Sequence, residues 1–268
     1  MIVKQRSSGR MTIKQKTRKQ NLNHSPADQA ASTEILWGER IRTSPGRKPA
    51  LSIEQIVTAA ISIADREGLS TISMQRVAAS LGFTTMSLYR YVRGKAELID
   101  LMVDTALGPP PSLSESARGW RPRLDKWAHS ISAAFYKHPW ALQATSRLRP
   151  TGPNELGWIE AAIKALSETG LGCSDQLDVL RVIMGQVRIV VQYTVTFPDA
   201  EPGLNGVQWQ SGIAELVEKH GSCYPSLRAC LRSSSGLSER QVELDFGLQC
   251  ALDGIAVLIE RCHRVNAL

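Results

Sequence analysis

Between Leu51 and Leu107 the apolar residues are spaced for helices, and each helix is cut short by a glycine or a proline cluster. Ile53, Ile56, Val57, Ala60, Ile61 and Ala64 recur at i, i+3, i+4, i+7, i+8 and i+11, one face of a 3.6-residue period. Ser52 followed by Gln55 predicts a capping box at the start of this helix, and Gly68 its end. Ser73 predicts the cap of a second, short helix with Met74, Val77, Ala78 and Leu81 on one face, closed by Gly82. Before Gly94 a third helix has room only between Thr85 and Val92. Isolated helices need roughly 12–15 residues, so this one must be held by packing. A fourth, over 95–107, turns Leu98, Ile99, Met102 and Ala106 inward and stops at "GPPPS", 108–112.

The remainder reads as helix over about 120–137, 139–147, 153–169, 173–196, 208–220 and 239–264, with Pro and Gly at the breaks and no strand-like alternation. The expected fold class is all-α, with a small N-terminal domain (46–108) and a larger helical one (109–268). Residues 1–45 are polar, lack apolar periodicity and read as a disordered basic arm.

Charge supports that division. The chain carries +7, yet residues 1–50 alone carry eleven Lys/Arg against three acids, so the high pI belongs to the arm. A basic arm suits a polyanion such as DNA, or serves only as a solvated tail. No apolar run approaches the roughly 18 residues of a membrane span, and no apolar segment follows the basic N-terminus as a secretory signal would require. A cytoplasmic protein is expected.

The five cysteines (173, 223, 230, 250, 262) include no C-x-x-C, and the five histidines show no ligand spacing. Neither a disulfide framework nor a metal site is indicated. Buried free thiols are expected, with Cys173 at a helix start as the one candidate for a lowered thiol pKa. No phosphate loop, nucleophile elbow or glycine-rich βαβ turn is present, so neither catalytic residues nor a cofactor are predicted.

Two short helices joined by a glycine turn and braced by a longer one form a helix-turn-helix pattern. On the third helix Leu88 and Val92 face inward, flanked by Thr85 and Tyr91. Met86, Ser87 and Arg90 face out, with Tyr89 at the border. Hydroxyls, phenols and an arginine suit base edges, thymine methyls and phosphates better than the Glu/Lys of an ordinary surface helix. Lys95 opens the next helix, where a cation opposes the helix dipole; a nearby phosphate would reverse that cost, and pairing with Glu97 or Glu54 is the alternative.

The string "GLSTISMQRVAASLGFTTMSLYRYVRGKAEL", residues 68–98, carries a resemblance. Residues 51–107 resemble the DNA-binding domain of the tetracycline-repressor-like (TetR) family of bacterial regulators, through Leu81-Gly82, Leu88-Tyr89, Val92, Lys95 and Leu98. Trp120, "HPW" (138–140) and "GPNELGWIEAAIKAL" (152–166) are weaker marks of the family's C-terminal domain. The resemblance implies a homodimer, each protomer placing its third helix in the major groove of an operator. Gln75 and Thr85 match base-contacting positions, and Ser73, Tyr89, Tyr91 and Lys95 match backbone-contacting ones. Met86 and Arg90 suit either role, and Arg76, Thr84 and Ser87 complete the surface. Arg47 and Lys48, in "GRK" just before the first helix, are candidates for the minor groove.

The resemblance also implies a small-molecule effector enclosed by the larger domain. Trp120, Trp127, Tyr136, Trp140 and Trp158 are candidate walls, with His129, Gln143, Arg188 and Gln192 as polar candidates; core packing is the alternative for the aromatics. The long helices 173–196 and 239–264 are more apolar than one inward stripe requires, which suits dimerisation. The expected function is an operator-binding repressor released by its effector. An architectural binder that uses the basic arm without sequence preference is the competing reading.

Overall fold

The computed structural model describes residues 26–38, 51–113, 118–195, 206–233 and 244–266. Among these residues all regular structure is helical. The elements are α1 (Pro26–Leu36), α2 (Ile53–Glu67), α3 (Met74–Ser80), α4 (Thr85–Tyr89), α5 (Lys95–Leu107), α6 (Trp120–Lys137), α7 (Trp140–Ala144), α8 (Pro153–Leu166), α9 (Cys173–Thr194), α10 (Gly206–Lys219), α11 (Pro225–Ser233) and α12 (Leu244–Asn266). A single 3-10 turn (Leu69–Thr71) links α2 to α3.

The capping box of α2 is complete. Ser52 Oγ accepts from the Gln55 amide at 3.2 Å, and Gln55 Oε1 accepts from the Ser52 amide at 2.8 Å. The buried face of α2 is Ile56, Val57, Ala60, Ile63 and Ala64. It is rotated from the expected stripe, so Ile63 is inside and Ile61 only half-buried.

α5 is the spine. It packs against α2 on one side and α6, α7 and α8 on the other. Leu98, Ile99, Met102 and Val103 are buried, and so are three carboxylates, Glu97, Asp100 and Asp104. The larger domain is built on contacts of α9 with α6, α8 and α12, while α10 and α11 form a hairpin that rests on α9.

Four expectations are corrected. Within the arm, residues 26–36 are helical, and Ile35 and Leu36 are only 4% and 8% exposed. The reason is tertiary: α1 docks on α5, and this context outweighs its polar composition. Trp37 and Gly38 follow in a turn, and the other residues of the arm lie outside the described ones. The helix expected over 139–147 is only Trp140–Ala144, because Thr145 and Ser146 turn their hydroxyls back onto the Leu142 carbonyl, at 3.2 and 2.8 Å. α11 was not anticipated, although Pro225 at its first position is a start signal. Finally, Cys173, Cys223, Cys230 and Cys250 are exposed in the single chain, and Cys262 is half-exposed. Cys223 lies in the turn between α10 and α11, and the other four sit on helices that turn larger apolar residues inward instead.

Candidate nucleic-acid interface

Local chemistry explains why two helices as short as α3 and α4 persist. Ser73 Oγ accepts from the Arg76 amide at 3.2 Å and starts α3. The chain then reverses through Gly82 at φ 74, a conformation that a side chain would strain. Beyond it the Phe83 amide donates to Ala78 at 3.0 Å. Thr84 caps α4 through the Ser87 amide at 3.3 Å, and the two hydroxyls lie 2.9 Å apart. Leu88 and Val92 are fully buried beneath.

What remains outside is a polar-aromatic surface. Met86 is 73% exposed and Tyr89 45%. Gln75, Arg76, Thr84 and Arg90 are exposed, while Ser73, Thr85, Ser87 and Tyr91 are partly so. Arg76 is ion-paired with Glu67 at the end of α2. Lys95, the first residue of α5, is half-buried; desolvation chiefly, and the Arg147 guanidinium next, hold its pKa below the ordinary lysine value. Arg47 and Lys48 lie outside the described residues.

The structure gives several of the nine effector candidates other work. Trp127 and Trp158 are buried and meet edge to face at 5.9 Å. Trp127 donates its indole N–H to the Trp158 carbonyl at 2.8 Å, and Trp158 donates to the Gly108 carbonyl at 2.9 Å. Trp140 is buried and donates to Asp65 Oδ1 of α2 at 2.7 Å. Each of these indoles fills core, the alternative the sequence offers for the aromatics, and its one polar atom is satisfied within the chain. Trp120 packs half-buried against the core. Tyr136 pairs its hydroxyl with Thr194 at 2.9 Å, and Gln143 and Gln192 are exposed.

Arg188 of α9 donates to Thr145 Oγ1 at 2.8 Å, and to the Leu142 carbonyl and Ser146 Oγ at 2.9 and 2.8 Å. Desolvation in this half-buried position lowers its pKa. The guanidinium thus serves as a C-terminal clamp on α7.

His129 belongs to an antiparallel polar ladder between α6 and α12. Arg121 reaches Gln249 and Asp253 at 2.8 and 2.7 Å, and Gln249 donates to Asp125 at 3.0 Å. His129 Nδ1–H donates to the Asp125 carbonyl at 2.9 Å and Nε2–H to Asp245 at 2.8 Å. Both ring nitrogens face oxygens that only accept, which selects the imidazolium.

The two domains meet through carboxylates that sequence reasoning missed. Asp65 Oδ1 accepts from Trp140 and also from His138 Nδ1–H at 2.8 Å. Asp100, fully buried, lies 3.5 Å from Arg147 Nη2. Asp104 accepts from Asn154 Nδ2 at 3.1 Å and from the Glu155 amide at 3.1 Å, so α5 caps the N-terminus of α8. Burial, the largest influence, raises the Asp104 pKa, and the Glu155 charge adds to it against these hydrogen bonds. A signal for the α5 pair exists in the sequence. Asp100 and Asp104 share one face of α5 with Glu97, at i, i+3 and i+7, and all three are buried.

The chain has relatives. Residues 113–259 match the family described as "Tetracyclin repressor-like, C-terminal domain". The HTH-type transcriptional repressor DrrR1 of Streptomyces coeruleorubidus is 35% identical over 239 residues, 87% of each chain. An HTH-type transcriptional regulator of Saccharopolyspora erythraea is 29% identical over 212 residues, 78% of this chain and 86% of that one. Among solved structures, apo ActR from Streptomyces coelicolor superposes with a TM-score of 0.63 at 22% identity, over 80% of this chain and 99% of that one. With the glycine turn, the capped short helices and the helical C-terminal domain in place, the chain belongs to the tetracycline-repressor-like family of helix-turn-helix transcriptional regulators.

Proposed function

We propose that the protein is a homodimeric repressor that reads an operator through α3 and α4 and is released by a small-molecule effector. One observation carries the DNA reading. α4 has five residues, spends its inward side on a fully buried Leu88, and displays Met86 and Tyr89 to solvent. Exposing a methionine and a phenol on so short a helix stabilises nothing within the chain; a partner surface accounts for it. Thr85 and Gln75 are assigned to base edges. Ser73, Tyr89, Tyr91 and Lys95 are assigned to the phosphate backbone, where Arg76 would exchange Glu67 for a phosphate. Thr84 and Ser87 hold the first turn of α4, and Met86 and Arg90 complete the surface.

Dimerisation is assigned to α9 and α12. They pack on each other yet leave Val182, Ile189, Val257 and Leu258 39–55% exposed. The effector role is supported by ActR, solved with actinorhodin, which superposes with a TM-score of 0.64 at 24% identity. An effector acting on α6–α9 would reach the DNA-binding domain through the Asp65, Asp100 and Asp104 contacts.

Selecting binding sites from a randomised duplex pool with the full chain tests the reading. The expected product is an inverted repeat, bound far more tightly than scrambled DNA. Equal binding to both would leave the architectural reading in its place.

A further inference from the structure

α1 belongs in sequence to neither domain, yet the helix packs on α5 and the residue after it, Trp37, reaches the larger domain. Ser32, Ile35 and Leu36 are buried, and the helix lies along α5. α1 ends where Gly38, at φ 71, donates its amide to the Ile35 carbonyl at 3.2 Å. Between them Trp37 donates its indole N–H to the Thr151 carbonyl at 3.3 Å. Thr151 adjoins Gly152, the N-cap of α8, and the first turn of α8 is where Asp104 of α5 docks. α1 and the turn that ends it thus join α5 to the start of α8, beside the contact that Asp104 makes.

A helix of 11 residues has little stability by itself, so α1 forms because the seam holds it. Contacts made to two bodies in one arrangement favour that arrangement over others. Any rotation of α5 against α8 must pull Thr151 from Trp37 or lift Ile35 and Leu36 from their seat.

We propose that α1 is a strap that fixes the angle between the DNA-binding domain and the larger domain, and so narrows the operator half-site spacing the homodimer accepts. Only the spacing step rests on the proposed DNA reading. In a two-fold dimer each recognition helix is carried on its own larger domain, so the angle at the seam sets the distance between the two helices. Half-sites must match that distance, and one base pair changes it by about 3.4 Å.

The test uses the full-length chain, the operator selected from the randomised pool, and versions with one or two base pairs added to or removed from the spacer. The Ile35→Ser, Leu36→Ser double variant undocks α1, and Leu36→Ala is a milder change should the double variant fail to fold. Amide exchange over 100–107 and 153–157 should rise about tenfold on undocking, while α9 keeps its protection. Discrimination between native and altered spacers should fall at least about fivefold. Unchanged exchange in these segments would overturn the strap. Raised exchange with spacer discrimination intact would overturn its role in specificity. Should wild type bind operator and scrambled duplex alike, the DNA reading fails, while the exchange result still decides the strap.

Discussion

The side chain of Asp104 occupies the space that a side chain at Gly152 would need. A Cβ built on Gly152 would overlap the Asp104 carboxylate and lie 2.8 Å from its Cβ. The contact joins the last turn of α5 to the cap of α8, so glycine is required here by approach of the neighbouring helix; its backbone, at φ −86, is ordinary. Gly152→Ala should cost about 1–3 kcal/mol, the usual range for overpacking a tight contact. Thermal melting measures it. In an Asp104→Gly background, which removes the Cβ together with the carboxylate, the same substitution should cost much less, because the two effects share one contact. Equal costs in both backgrounds would show that Asp104 is not what excludes the methyl group.

Asp65 offers a second test of the seam, from the α2 side. Its Oδ1 is the acceptor for both His138 and Trp140. Asp65→Ala leaves two inward-facing donors without that acceptor, and each unsatisfied group costs about 1–3 kcal/mol. The variant should melt several degrees lower, with Trp140 fluorescence shifted to the red as water reaches the indole. An unaltered spectrum would mean that the indole keeps its site by packing alone.

The seam also marks where sequence reading ran out. Helix existence in the DNA-binding domain was legible because each signal is local: Ser52 with Gln55, Ser73, Gly68 and Gly82 act within four residues of themselves. Leu88 and Val92 were legible as inward for the same reason. Asp65, Asp100 and Asp104 were not, since their partners lie 47 to 75 positions along the chain, beyond any periodicity. The tryptophans show the same limit. A wheel places Trp127 and Trp158 on inner faces, but only the fold shows that each indole N–H already has a carbonyl. α1 failed in the opposite direction, because its polar composition hid two residues, Ile35 and Leu36, that a neighbouring helix covers.

His129 should make the α6–α12 ladder pH-sensitive. Desolvation is the largest single influence on its pKa and acts downward. The hydrogen bonds that His129 donates to the Asp125 carbonyl and to Asp245, with the charges of Asp125 and Asp245, outweigh it, so the net shift is upward. A raised pKa means that the folded state holds the proton more tightly than the unfolded chain. The stabilisation is complete below the unfolded value, near 6.5, and is lost as pH rises through the higher folded value. With the side chain 46% exposed, the effect should stay under about 1 kcal/mol. Melting curves at about pH 6 and pH 8.5 should therefore differ more for wild type than for His129→Gln. An identical difference in both proteins would place the pH dependence elsewhere.

Positioning and reading separate cleanly at Lys95 and Thr85. Lys95 sits half-buried at the start of α5, where the helix dipole and Arg147 both disfavour its charge. A phosphate at that position would relieve both. Lys95→Met keeps the buried stem and removes only the charge. It should weaken binding about equally on operator and scrambled duplex, and flatten log K against log salt by roughly one unit per protomer. Thr85 opens α4, the end of a recognition helix whose side chains reach base edges. Thr85→Ala should cost roughly 1–3 kcal/mol on the selected operator and far less on scrambled duplex, leaving the salt slope alone. Leu88 and Val92, which hold α4 in place, are untouched by both changes, so melting should barely move. Titrating both variants on both duplexes across a salt series separates the two roles. Were Thr85→Ala to weaken both duplexes equally, α4 would be lying on the backbone and not in the groove.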